Sequence, residues 1–128
     1  MKYRIEEAPN RDVLEFHITK KLSESGNYFG GADMIDDDDL NEATPEGKEL
    51  ARKLFEIDGI DELHFGRYDF MVCKANLFSW DKITPEVIRV IKEVLSPNEE
   101  LEELERVTMS DEEAARQIAS GEEQMRGE

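Results

Sequence analysis

Residues 60–74 read Ile60-Asp61-Glu62-Leu63-His64-Phe65-Gly66-Arg67-Tyr68-Asp69-Phe70-Met71-Val72-Cys73-Lys74, two β-type runs parted by Gly66-Arg67. Two such runs joined by a short turn with glycine at its first central position are the pattern of a β-hairpin. The two-residue period places Tyr68, Phe70 and Val72 on one face of the second strand, with Met71 and Cys73 on the other. A helix is expected on each side of this hairpin. Upstream, Thr44-Pro45-Glu46 supplies a hydroxyl cap, a proline with preset φ and an acid at the positive end of the helix dipole. Leu50, Ala51, Leu54 and Phe55 follow as an apolar stripe, which predicts a helix over 45–57. Gly59 then fits the C′ position and Ile60 is placed to close on Phe55. Downstream, Thr84-Pro85-Glu86 repeats the start signal, Ile83 is placed to staple on Ile88, and Val87, Ile88, Ile91, Val94 and Leu95 share a face.

Nearer the N-terminus, Tyr3 and Ile5 alternate with Arg4 and Glu6. After the turn-like Pro9-Asn10-Arg11-Asp12, Leu14, Phe16 and Ile18 alternate with Glu15, His17 and Thr19. Both stretches read as half-buried strands. Residues 22–43 are rich in Ser, Gly, Asn and Asp and read as loop, with a short strand near Tyr28-Phe29. The expected fold class is therefore α+β: an antiparallel sheet of about four strands in the order ββ-α-ββ-α, with the helices packed on one face.

The chain has 128 residues, a length suited to one domain, with 32 acidic and 16 basic side chains and a formal net charge of −16. Half of that charge sits in residues 96–128, which contain no aromatic side chain. The expected organisation is a folded domain over 1–95 and an acidic, helical or disordered extension over 96–128. In the extension, Ser96-Pro97-Asn98-Glu99 and Ser110-Asp111-Glu112-Glu113 have capping-box spacing, and each predicts a short helix with little to bury.

The acidity excludes a nucleic-acid binder that relies on counterion release, and it disfavours docking on anionic membrane. No apolar run reaches membrane-spanning length. The first residues turn acidic at Glu6-Glu7 without a signal-peptide core. With Cys73 as the sole cysteine, an intramolecular disulfide is excluded, and a thiolate metal or cluster site within this chain lacks its ligands. A cytoplasmic location is expected.

Asp36-Asp37-Asp38-Asp39 offers oxygen ligands, yet an EF-hand starting at Asp36 needs glycine at 41 and glutamate at 47, where the chain has Asn41 and Gly47. A start at Asp33 fails in the same way at Asp38 and Thr44, so these aspartates read as a solvated turn. His17 and His64, the two histidines, sit in predicted strands and read as solvent-facing, although Asp61 or Glu62 could orient His64. Cys73, beside Lys74, which could lower its pKa, reads as a packed strand thiol. Gly47-Lys48 is not a phosphate loop, because Glu42 stands where its opening glycine belongs. Ser23 and Ser25 have no nucleophile-elbow context. No catalytic, metal-ligating or cofactor-binding residue is assigned. Trp80 reads as a cover for the end of the sheet. The alternative is an aromatic–arginine patch of Phe65, Arg67, Tyr68 and Trp80, the composition of a partner-binding hot spot.

Four blocks carry a family resemblance. Pro9-Asn10-Arg11-Asp12-Val13-Leu14-Glu15-Phe16 resembles the "PNPNTLKF" opening of the N-terminal domain of NifU-like (Nfu-type) iron–sulfur scaffold proteins. The stretch from Leu50 to Ile60 is similar to that domain's "LAKKLFEIDGV" helix and exit. His64 to Val72 resembles its "VFFGRDFITV" hairpin, and Trp80 to Ile88 its "WDELKPEI" segment. The blocks fall in the family's order and cover about residues 9–92. The resemblance implies a compact α+β domain associated with iron–sulfur cluster assembly. In two-domain members the cluster is carried by a separate domain with a CxxC motif, and this sequence has none. The implied function is a non-enzymatic accessory or interaction module, standing without that domain, that docks on iron–sulfur assembly or recipient proteins. The alternatives are an acidic module for a basic protein partner, through loop 33–39 and the extension, and a weak carboxylate metal binder.

Overall fold

Alternating burial builds the sheet. The computed structural model describes residues 1–37 and 42–104. Its strands are β1 (Lys2–Glu7), β2 (Val13–His17), β3 (Asn27–Phe29), β4 (Ile60–Phe65), β5 (Asp69–Lys74) and β6 (Glu102–Glu103), and its α-helices are α1 (Pro45–Phe55) and α2 (Trp80–Leu95). A single turn of 3₁₀ helix, Ala32–Met34, precedes α1. The sheet order is β3-β4-β5-β2-β1-β6. All neighbours run antiparallel except β1 and β6, which are parallel. The fold is thus α+β with two helices and a mixed six-stranded sheet, rather than four antiparallel strands.

Ile5, Phe16, Phe70 and Phe65 stand opposite one another in register on β1, β2, β5 and β4. Phe16 and Phe70 stack at 5.0 Å between ring centroids, Phe65 meets Phe70 at 5.8 Å, and Phe29 closes edge-on against Phe65 at 5.3 Å. This row faces the helices, whose buried side chains Leu50, Leu54, Ile83, Val87 and Ile91 complete one core with it. Ile60 and Leu63 both point inward although an odd number of positions separates them. A bulge between Ile60 and Glu62 absorbs the extra residue and turns Asp61 out.

Several local expectations shift for physical reasons. The Thr44 cap forms as read, its hydroxyl accepting from the Gly47 N–H at 3.0 Å, and α1 ends at Phe55, two residues short of the expected stop. Gly59 has the left-handed φ of +96°, but it sits in the turn into β4, beyond the helix cap Glu56. Gly66 is not a central turn residue. Its N–H donates to the Asp69 carbonyl, leaving Arg67-Tyr68 at the tip, and a Cβ on Gly66 would come within 2.1 Å of the Asp69 carboxylate.

The second helix starts a turn early. Ser79 caps it by accepting from the Asp81 N–H at 3.1 Å, so Thr84 and Pro85 fall inside the helix. An interior proline costs about 3 kcal/mol and leaves the Asp81 carbonyl without its helical donor. Burial of Ile83, worth about 2 kcal/mol, and a bond of 2.7 Å from Trp80 Nε1 to the Arg11 carbonyl hold the extra turn in place. The expected staple of Ile83 on Ile88 gives way to Ile83 in the core.

Ser96-Pro97-Asn98-Glu99 opens no helix. The Ser96 hydroxyl donates to the Glu99 carbonyl, and the chain turns back to the sheet edge. There Glu102 N–H donates to the Met1 carbonyl at 3.0 Å and Leu104 N–H to the Tyr3 carbonyl at 2.8 Å, forming β6. The strand that covers the β1 edge therefore comes from beyond residue 95. The expected helix at Ser110–Glu113 lies outside the described residues.

Candidate functional site

Both helices lie on one side, and among the described residues no element covers the other face of the sheet. Inward Leu14 and Phe16 turn Val13, Glu15 and His17 out on β2, and inward Phe70 and Val72 turn Asp69, Met71 and Cys73 out on β5. Strand register then aligns Tyr28, His64, Met71, Glu15 and Glu6 in one row across β3, β4, β5, β2 and β1. A second row runs from Asp69 through His17 to Arg4.

At the β3 end of this face the Tyr28 hydroxyl donates to Glu62 at 2.7 Å, and its ring leans on His64 at 4.8 Å. Glu62 is therefore engaged by tyrosine. Cys73 shares this region, and its thiol is held above the ordinary range by burial and by the nearby carboxylates of Glu62 and Asp61. Lys74 does not offset this, because its ammonium is buried on Asp12 at 2.7 Å. The thiolate is the nucleophilic and metal-binding form, and these surroundings disfavour it.

At the β1 end the acid concentrates. His17 Nε2 lies 3.3 Å from a Glu6 carboxylate oxygen and 3.6 Å from one of Glu15. The Glu15 carboxyl is pushed up to about 7, first by burial, then by a hydrogen bond with Asp69 and by the charges of Asp69 and Glu6. Because this value lies above the ordinary 4.5, Glu15 contributes fully to stability below pH 4.5 and loses that contribution as pH rises through 7. Glu15→Gln is therefore expected to raise Tm at pH 8 and to lose that advantage near pH 5. Thermal melts at the two pH values check this, and an advantage equal at both would contradict it.

The four residues read as a partner patch do not lie on one surface. Phe65 is only 2% exposed and belongs to the core row. Arg67 and Tyr68 stay together at the β4–β5 turn, where Arg67 Nε donates to the Glu24 carbonyl at 2.9 Å and Tyr68 is half exposed. Trp80 sits at the other end of β5, roughly 17 Å of strand away, packed against the core with the Lys74 ammonium 5.7 Å from its ring centre. Asp36 pairs with Arg52, while Asp38 and Asp39 lie outside the described residues. A groove of about 740 Å³ between the end of α1 and the start of α2, lined by Ile57, Leu77, Phe78 and Lys82, went unread in the sequence. Leu77 stands almost fully exposed at its rim. Alternation did mark Glu15 and His17 as outward neighbours. That Glu6 stands opposite Glu15 depends on strand register, which composition does not reveal.

Residues 3–98 match the family model described as scaffold protein Nfu/NifU, N-terminal. Over 97 residues the chain is 33% identical to the NifU-like protein C1709.19c of Schizosaccharomyces pombe, a match covering 73% of this chain and 33% of that protein. The chain thus spans about a third of the length of that relative. Among solved structures, a NifU-like protein from Saccharomyces cerevisiae superposes with a TM-score of 0.56 at 18% identity, over 76% of this chain and 80% of that one. Protein SAV1430 from Staphylococcus aureus gives 0.55 at 18% identity, over 71% of this chain and 99% of that one. At such identity these two likenesses speak to the fold.

Proposed function

The chain belongs to the Nfu/NifU scaffold N-terminal family, and from that premise we propose that it is a non-enzymatic accessory module of iron–sulfur cluster assembly. It docks on assembly or recipient proteins and contributes no cluster ligands of its own. The observation that carries this reading is the family match over 3–98 in a sequence with one cysteine, a half-buried strand thiol. Cluster thiolates then have to come from another polypeptide segment or partner. The proposed organisation is a module over 1–95 with an acidic extension from 96 onward, whose first residues add β6.

For the contact surface, Arg67 and Tyr68 at the β4–β5 turn are favoured over Trp80 and Phe65. Tyr68 combines exposure with a residue type that dominates interface energetics, and Arg67 is already braced on Glu24. The test is affinity capture from the source cells followed by quantitative mass spectrometry. Cluster-assembly and recipient proteins are expected to be enriched, and Tyr68→Ala is expected to cut their recovery roughly tenfold, the effect of one hot spot, with Tm unchanged. Recovery of none of them would overturn the reading. Undiminished recovery with Tyr68→Ala would move the contact elsewhere.

A second reading is favoured by the acidic side chains Glu6, Glu15 and Asp69, which lie in two adjacent rows of the open face: an electrostatic dock for a basic protein surface. Such binding collapses with added salt.

A further inference from the structure

On the open face of the sheet we infer that Glu6, Glu15 and His17 form a binding site for one divalent transition-metal ion. The site follows from strand geometry. Glu6 and Glu15 are directly opposed across β1 and β2, and His17 lies two residues beyond Glu15 on the same face, diagonal to Glu6. One ligand atom from each of the three falls within 4.8 Å of the others. The imidazole-to-carboxylate separations, 3.3 and 3.6 Å, are close to those between neighbouring ligands around an ion bonded at about 2.1 Å. Small side-chain adjustments would therefore admit the ion.

The cluster is more than a patch of surface acid. His17 Nε2 is shielded from solvent and makes no hydrogen bond among the described residues, although two carboxylates flank it. A shielded nitrogen without a hydrogen bond is unfavourable, and a metal ion satisfies it together with both carboxylates. Asp69 stands opposite His17 across β2 and β5 and adds a further carboxyl beside the cluster. Arg4 opposes the cation from the position facing His17, but the two ligand carboxylates Glu6 and Glu15 outnumber it. One imidazole with two carboxylates is a donor set for zinc, ferrous iron or manganese; calcium and magnesium prefer oxygen alone.

The test is calorimetric titration of the chelator-stripped 128-residue chain with zinc chloride, with the visible spectrum of the cobalt(II) form as a second readout. One saturable ion per chain is expected. His17→Ala and the conservative Glu6→Gln are each expected to weaken it roughly tenfold or more with the circular dichroism unchanged, while His64→Ala leaves it intact. Absence of binding would overturn the site. So would binding spread over many weak sites that ignore His17→Ala, and so would equal losses in the two histidine variants. No partner protein enters these readouts, so their failure leaves the assembly reading standing.

Discussion

Gly47→Ala is expected to destabilise the fold by about 3 kcal/mol, although the same change in an exposed helix stabilises by about 1 kcal/mol. Gly47 lies in the first turn of α1, and a Cβ there would stand 2.2 Å from the Leu22 carbonyl oxygen. That oxygen has no room to retreat. It accepts from the Thr44 N–H at 2.8 Å and from the Thr44 hydroxyl at 3.3 Å, and the Leu22 N–H donates to the Arg67 carbonyl at 2.7 Å. The Leu22 side chain is itself fully buried. Relief of the clash therefore breaks the cap, the Leu22 anchor or both. Gly26→Ala is the control: its Cβ would meet the Phe65 carbonyl at an ordinary 3.8 Å, and its effect is expected to stay within about 0.5 kcal/mol. Urea denaturation of the two variants reads the difference, and a Gly47→Ala protein as stable as the parent would refute the close approach.

Phe70→Ala carries the largest expected loss, about 4 kcal/mol, or a fall in Tm on the order of 15 °C. Phe70 is fully buried at the centre of the row, stacked on Phe16 to one side and tilted on Phe65 to the other. Truncation opens a cavity among aromatic rings fixed by three strands, so neighbouring side chains cannot collapse into it. Met71→Ala, one position along on the open face, is expected to cost less than about 1 kcal/mol. Parity of the two effects would mean that β5 presents the other face to the helices.

The two Thr-Pro-Glu triplets mark how far local sequence reaches. At Thr44 the triplet starts a helix because Leu22 and Gly47 complete the cap around it. At Thr84 the same residues lie within α2, because Ser79 offers an earlier cap, Trp80 reaches the carbonyl of Arg11 and Ile83 fills the core. Leu22 and Arg11 are distant in sequence from the triplets they act on, so a local start signal cannot weigh them. β1, β2, β4 and β5 were legible because each alternates against a one-sided core. β6 was not, because it consists of two exposed glutamates held by backbone bonds to Met1 and Tyr3, with no apolar signature.

The open face was half legible for the same reason. Alternation turned Glu15, His17, Met71 and Cys73 outward, but only the strand order brings Glu6 against His17 and Tyr28 against His64. Burial divides the aromatic–arginine patch. Phe65, spaced like a surface aromatic beside Arg67, alternates inward, and α2 starts early enough to carry Trp80 to the far end of β5.

Salt separates specific docking in cluster assembly from generic attraction of basic proteins, and affinity capture repeated at low and high ionic strength is its most direct measurement. Recovery of iron–sulfur assembly or recipient proteins that persists at high salt, and falls with Tyr68→Ala, is the expected result. A capture that holds only basic proteins unrelated to clusters, and loses them as salt rises, would contradict it.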